Sequence, residues 1–432
     1  MKKAKKVLAT LAIMGMAVTM VPFNALASTG VTTDRLWGND RFGTAVKIAE
    51  QFVTADTAIL APAANANLVD ALAAAPLAGK TSPILLTDNN TLTKATKDEL
   101  IKLGVKKVYV VGAISQAVLE EVDKMDGVEA IQLKGADRIA TAAMISAKLT
   151  NPAGSFVVGY GALPDALSVA SYAAAHNYSI IVTNPDGTLP AKQAETLPSN
   201  AYIIGGLQRV ANITGVKRLA GEDRFGTNKV VLETLDYTYN KAYVANGEDI
   251  HLVDSLVASS LAAKFGAPIV LTNTTTGGNA VAADFGANLA TNAVVVALGG
   301  DQFVTDTTVA KVSLAVSSVS ASNIGAYDNV TVTFNQSIEQ IVKEMSTSQL
   351  DELYTYLKVQ SGITRTVNGK VDITTLAQDK SSIAISGSTV SFNVSPVVKP
   401  VLVNQIVKYS VTMGSQPAVS DATGFSVAAI AK

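Results

Sequence analysis

One ten-residue pattern constrains this chain more than any other, because it occurs three times at a spacing of roughly ninety residues. It reads Arg35-Leu36-Trp37-Gly38-Asn39-Asp40-Arg41-Phe42-Gly43-Thr44 at its first occurrence. It returns more loosely as Gln132-Leu133-Lys134-Gly135-Ala136-Asp137-Arg138-Ile139-Ala140-Thr141, and closely as Arg218-Leu219-Ala220-Gly221-Glu222-Asp223-Arg224-Phe225-Gly226-Thr227. Such a unit is too long for a solenoid and long enough for a small α/β domain. The pattern has a local logic. Its glycine permits a turn after an apolar run, and Asp40, Asp137 and Asp223 stand where a helix N-cap belongs. Beyond the first of these, Phe42, Val46, Ala49 and Phe52 recur at helical spacing as one apolar face. A cation in the first helical turn opposes the helix dipole, at a cost of about a few tenths of a kcal/mol. Its return at Arg41, Arg138 and Arg224 therefore implies a partner, either a carboxylate of a neighbouring repeat or an anionic ligand.

Between these patterns one series of elements repeats. Ala58-Ile59-Leu60-Ala61-Pro62 reads as a short buried strand, and residues 65–79, with Leu68, Leu72 and Leu77 among alanines, as a helix buried on most sides. Pro83-Ile84-Leu85-Leu86-Thr87 is a second strand, residues 93–103 an amphipathic helix, and residues 107–112 a third strand before a helix through Val118, Leu119 and Val122. The first strand returns as Phe156-Val157-Val158 and Ala242-Tyr243-Val244-Ala245. The second returns as Ser179-Ile180-Ile181-Val182-Thr183 and Pro268-Ile269-Val270-Leu271-Thr272. Asp70 has counterparts in Asp165 and Asp254, and Gly112 in Gly205-Gly206 and Gly299-Gly300. Continuous β-branched strands alternating with helices predict parallel sheets covered on both faces. The expected fold is α/β, with Rossmann-like repeats at 28–127, 128–217 and 218–312 that pack on one another, since a sheet with bare faces does not stand alone.

The flanks differ. Residues 1–27 read as an export signal, with Lys2, Lys3, Lys5 and Lys6, an apolar run to Val21, a break at Pro22, and Ala25-Leu26-Ala27 as cleavage site before Ser28. The run is shorter than the about twenty apolar residues that a membrane span needs. Loss of those lysines takes the formal charge from −1 to −5. No second apolar run spans a membrane and no sorting motif with a hydrophobic tail closes the sequence, so attachment to a cell is expected to be non-covalent. With no cysteine, an exported fold rests on packing rather than disulfides, and 48% hydrophobic residues supply the cores. Slight acidity and the lack of a basic tract speak against nucleic acid. From residue 313 the texture changes. Val330-Thr331-Val332-Thr333-Phe334 and Thr389-Val390-Ser391-Phe392-Asn393-Val394 alternate as half-exposed strands, and Asn368-Gly369 marks a tight hairpin. Residues 313–432 are expected to form a separate β-rich, immunoglobulin-like domain with a helical insertion at 337–357.

The triple motif, the Pro-Ile-Leu-Leu-Thr strand and the Gly-Gly strand end together resemble the type-2 cell wall binding repeats of Gram-positive surface-layer and cell-wall proteins. The resemblance covers residues 35–311. It implies three Rossmann-like units about a pseudo-threefold axis and non-covalent binding to an anionic secondary cell-wall polymer, with surface-layer assembly partners in prospect. It also implicates the apolar strand, here Pro83, Ile84, Leu85 and Leu86, and Pro268, Ile269, Val270 and Leu271. The second repeat departs from the pattern, with Ser179 for the proline and Gln132 for the first arginine. On their own chemistry those apolar side chains read as buried strand and cannot hold an anion. The polar ends beside them, Thr87, Asp88, Thr183, Asn184, Thr272 and Asn273, are better candidates. Ligands of parallel α/β sheets gather at the carboxyl ends of strands, where helix N-termini offer N–H groups and the arginines add charge.

Catalytic chemistry is sparse. The two histidines, His176 and His251, have no neighbours at metal-ligand spacing, so neither a metal nor a cofactor is expected. His251, Asp254 and Ser255 invite comparison with a triad, but the other repeats lack the histidine, and local capping is the expectation. Gly159-Tyr160-Gly161 lacks the third glycine of a dinucleotide fingerprint. Residues 313–432 hold neither His nor Cys, which leaves no cysteine peptidase or histidine-bearing zinc amidase there. Glu339, Glu344, Asp351 and Glu352 read as a solvated helix face rather than a glycosidase pair. The reading is a non-enzymatic surface protein anchored by its repeats. Its rivals are an adhesin whose β domain binds a ligand and an α/β enzyme.

Overall fold

A computed structural model describes residues 31–65, 68, 71, 73–272, 285–290 and 292–313, and further on 316–324, 327–334, 364–367, 370–373, 377–395, 407–411 and 425–426. The export signal, Asp70, Leu72, Asn273 and the helical insertion expected at 337–357 lie outside the described residues.

Among the described residues the strand β1 (Thr32–Leu36) comes first. The strands β2 (Thr57–Pro62), β3 (Ile84–Thr87), β4 (Lys107–Val111) and β5 (Glu129–Leu133) form a parallel sheet in the order β3-β2-β4-β5. The strands β6 (Gly154–Val158), β7 (Tyr178–Val182), β8 (Ala201–Ile204) and β9 (Lys217–Leu219) form a second, in the order β7-β6-β8-β9. The third joins β10 (Lys241–Asn246), β11 (Ile269–Thr272) and β12 (Val294–Leu298) to β1, in the order β11-β10-β12-β1. The central strands are buried nearly throughout, as continuous apolar runs in parallel sheets require.

The opening residues of each ten-residue pattern are themselves strand, and they sit in the preceding repeat's sheet. Leu133 pairs opposite Val111, Leu219 opposite Ile204, and Leu36 opposite Leu298. The chain's first strand thus completes its last α/β sheet, and the three repeats close into a ring. From sequence a turn after an apolar run is expected here, and the structure adds the strands. Three-residue to five-residue edge strands carry little periodicity of their own.

Helices cover the sheets: α1 (Arg41–Ala49), α2 (Ala75–Ala78), α3 (Lys94–Leu103), α4 (Gln116–Asp123), α5 (Arg138–Ser146), α6 (Leu163–His176), α7 (Ala191–Glu195), α8 (Arg224–Thr234), α9 (Leu252–Lys264) and α10 (Asp306–Ser313). At the centre α2, α6 and α9 touch one another pairwise, one from each repeat. Small residues recur along them (Ala170, Ser171 and Ala173 on α6; Ala258, Ser259 and Ala262 on α9), and all are buried. Alanine and serine let the helix backbones approach closely, so the alanine-rich stretches of the sequence are the inter-repeat core.

Beyond residue 313 the described strands are antiparallel. They are β13 (Val316–Ile324), β14 (Tyr327–Phe334), β15 (Thr364–Val367), β16 (Lys370–Ile373), β17 (Ala377–Ser386), β18 (Thr389–Ser395), β19 (Val407–Val411) and β20 (Phe425–Ser426). One sheet runs β13-β14-β18-β17 and the other β16-β15-β19-β20. Val367 pairs with Lys370, and the Asn368-Gly369 turn expected between them lies outside the described residues.

Candidate functional site

Each position of the repeated pattern has a physical task. Arg35 reaches back into the third sheet's loop, donating to the Gly299 carbonyl at 2.9 Å, the Val304 carbonyl at 2.8 Å and Asp306 at 2.6 Å. Arg218 does the same to Gly205 at 2.6 Å, Val210 at 2.8 Å and Asn212 at 3.1 Å. Gln132 substitutes with one bond, to the Ile114 carbonyl at 3.0 Å. The glycine lets the strand end press on the following helix: a Cβ on Gly38 would stand 2.3 Å from the Gly43 carbonyl carbon, and one on Gly221 2.2 Å from that of Gly226. Its N–H is taken by the buried threonine hydroxyl six residues on, Thr44 at 3.1 Å, Thr141 at 2.9 Å and Thr227 at 3.2 Å. The aspartates cap as expected, accepting from Gly43 at 2.7 Å, Ala140 at 2.8 Å and Gly226 at 2.7 Å.

The second arginine lies at the carboxyl end of its own repeat's first strand. Arg41 donates to the Ala63 carbonyl and to Asn65 Oδ1, and Arg224 to the Gly247 carbonyl at 2.9 Å and to Asp249. Arg138 lies over the Tyr160 ring, 4.4 Å from its centroid. The hydrogen-bonding partner is therefore a loop of the same repeat. A neighbouring repeat's carboxylate stands further off: Asp165 of the second repeat is attracted by Arg224 of the third, and Asp254 of the third by Arg41 of the first.

Asp165 and Asp254 explain the first glycine of each double glycine. The Asp165 carboxylate occupies the place of a side chain on Gly205, with Oδ2 2.2 Å from where a Cβ would stand, and Asp254 Oδ2 lies 2.5 Å from the same point on Gly299. Both glycines have positive φ, +96° and +87°. Burial pushes the Asp165 carboxyl up to about 6 against the pull of Arg209 and Arg224, and the Asp254 carboxyl up to about 6 against Arg41. Capping at His251, Asp254 and Ser255 does not occur. His251 makes no side-chain cap and packs its ring 4.0 Å from Phe303, because Asp254 is drawn under Gly299 instead. His176 stacks on Tyr172 at the end of α6.

A cleft of about 720 Å³ opens where the second and third repeats meet. Asp165, Gly206 and Arg209 line it from the second repeat, Arg224 and Asp249 from the third, and Asn65 from the first. Gly161, from the turn that resembled a partial dinucleotide fingerprint, lines it too. The site thus gathers the strand carboxyl ends, as a parallel architecture favours.

The other sequence candidates are placed differently. Pro83, Ile84, Leu85 and Leu86, and Pro268, Ile269, Val270 and Leu271, are buried core. Thr87, Thr183 and Thr272 are fully buried, their hydroxyls bonded to the Thr91 carbonyl at 2.8 Å, the Tyr160 N–H at 3.1 Å and the Ala245 carbonyl at 3.2 Å. Asn184 is half-buried and bonded to Thr188, while Asp88 is exposed. None of them lines the cleft. Arg209 escaped the sequence reading because the other repeats do not share it. Arg35, Arg218, Asp165 and Asp254 carried a usable signal, their return in register beside the double glycine.

The model of cell wall binding domain 2 (CWB2) matches residues 35–119, 132–213 and 218–309. The chain belongs to this family. Among solved structures, Cwp8 from Clostridium difficile is similar, with a TM-score of 0.58 and 30% identity over 65% of this chain and 51% of that one. Cwp6 from the same organism gives 0.58 and 26% over 66% and 48%. The N-acetylmuramoyl-L-alanine amidase LytC of Bacillus subtilis is 29% identical over 277 residues, 61% of this chain and 54% of its own length. The amidase enhancer of Bacillus subtilis is 29% identical over 241 residues. The chain spans about half the length of LytC and a third of the amidase enhancer. In this CWB2 chain the three matches correspond to the three α/β repeats. The match boundaries fall at the swapped strands: β1, β5 and β9 are each entered partway, although each pairs in the preceding repeat's sheet.

Among the described residues no helix is long and apolar enough to cross a membrane, and no group of three or more His, Cys, Asp or Glu could hold a metal ion.

Proposed function

We propose that the three repeats, drawn at 28–127, 128–217 and 218–312, hold an exported protein on a Gram-positive cell wall by binding an anionic secondary polymer in the clefts between repeats. The observation that carries this is the placement of Arg41, Arg138 and Arg224 at strand carboxyl ends, with Arg224 and Arg41 also facing a buried carboxylate of the neighbouring repeat. Among the described residues the hydrogen bonds of Arg41 and Arg224 leave from Nη1, so Nε and Nη2 remain to serve a ligand. A guanidinium presents a planar fork suited to phosphate or carboxylate. The family assignment supports attachment to the wall, and surface-layer partners fit the likeness to Cwp8 and Cwp6. Residues 313–432 are then the displayed part, an immunoglobulin-like domain of two antiparallel sheets without histidine or cysteine for catalysis.

The buried apolar strands act by placing the loops, and Asp88 and Asn184, which follow β3 and β7, serve as secondary contacts outside the cleft. Purified residues 28–312 should sediment with walls of the source cell, while residues 313–432 stay in solution. Mild-acid removal of secondary polymers should abolish sedimentation. Equal binding to stripped walls would refute the polymer reading.

A further inference from the structure

The cleft between the second and third repeats holds more acids than bases. Arg209 and Arg224 face Asp165, Glu222, Asp223 and Asp249. Three of these acids are accounted for. Asp223 caps α8, Asp249 is paired with Arg224 and 76% exposed, and Glu222 is exposed to solvent. Asp165 is different. It is only 9% exposed, and among the described residues no ion pair or hydrogen bond reaches its carboxylate. Its charge is balanced at a distance by the same two arginines that a ligand anion would engage.

We propose that an anionic group of the wall polymer binds in this cleft together with a proton taken up by Asp165, so that attachment strengthens as the surroundings acidify. The inference rests on the wall-binding reading and adds its regulation. An anion accepting bonds from Arg209 and Arg224 spends the positive field that tolerates the Asp165 charge and adds a like charge beside it. Both effects favour the neutral acid. The proton is within reach near neutrality, because burial already holds this carboxyl at about 6 in the free protein. The position of Gly205 keeps the carboxyl where it is, packed beneath the loop that carries Arg209. The ligand suited to such a site is a phosphodiester or sugar carboxylate, which stays charged while Asp165 titrates. The junction between the third and first repeats has Phe303 where Arg209 stands, so it lacks the second arginine of this cleft.

The test compares wild type with Asp165→Asn on walls of the source cell at pH about 7.5 and about 5.5. Proton uptake predicts that wild-type affinity rises on the order of tenfold across that range. Asp165→Asn should bind at the higher pH as wild type does at the lower, and lose most of the dependence. Titration of the walls themselves affects both proteins alike. A variant that keeps the wild-type pH dependence would overturn the proposal, as would a flat wild-type profile. Failure of both proteins to bind at either pH would instead sink the wall-binding reading. Should Asp165→Asn not fold, the Asp165 side-chain carboxyl carbon can be followed by NMR in the wild type. Its titration midpoint must rise when soluble polymer fragments are added, and an unchanged midpoint refutes the coupling.

Discussion

At the scale of single residues, the repeated pattern is mostly an inter-repeat joint. Arg35 is only 16% exposed and donates to two part-buried carbonyls as well as to the more open Asp306 carboxylate. Removing it leaves those acceptors unpaired, so Arg35→Ala should cost about 2–3 kcal/mol of stability. Arg35→Gln should cost less, because Gln132 already serves the corresponding loop with a single bond to Ile114. Urea unfolding of both variants checks this ordering, and equal losses would mean that the glutamine bond contributes nothing. The exposed pair Arg224–Asp249 is another matter, since ion pairs open to water contribute little. Arg224→Ala should therefore lose little more stability than its part-buried bond to the Gly247 carbonyl supplies.

At the scale of elements, β1 is the clasp. It supplies the edge strand beside β12 and buries that strand's other edge far from it in sequence. A chain beginning at residue 39 would lose the strand and Arg35 together, leaving β12 as an open edge prone to pairing between molecules. Its melting temperature should fall by on the order of 10 °C. A synthetic peptide of residues 31–38 added in trans should recover part of the loss, as followed by thermal melting. Undiminished melting of the truncated chain would show that the ring does not need closing. The same exchange explains why one repeat excised by its sequence boundaries should fail: it carries a strand belonging elsewhere and lacks its own fourth.

At the scale of the whole molecule, the ring buries carboxylates between repeats. Asp254 makes the sign clear. Its carboxyl titrates at about 6 in the folded protein, above the ordinary 3.8, so the folded state holds more protons than the unfolded state between those values. Stability contributed at this site is therefore present at low pH and lost as pH rises through about 6. Asp254→Asn should raise stability at pH 7.5 by about 1–3 kcal/mol, with the gain vanishing below pH about 4. Chemical unfolding at several pH values checks it, and a destabilised variant at pH 7.5 would show that the charge itself holds the Gly299 loop.

Much was legible without coordinates. Apolar runs of β-branched residues mark the central strands, the aspartate at each pattern marks its helix start, and threefold return of the series implies mutually packed α/β units. These features are local, set by propensity, capping and periodicity within a few residues. What the tertiary structure decided is non-local. Whether Leu36 joins its own repeat or Leu298's sheet depends on which edge is open when three units meet, and no periodicity encodes that. Likewise Asp165 and Asp254 look from sequence like helix-start acids. Only the packing of a neighbouring loop, with a glycine whose missing side chain leaves the room, turns them into buried carboxylates facing the next repeat's arginine.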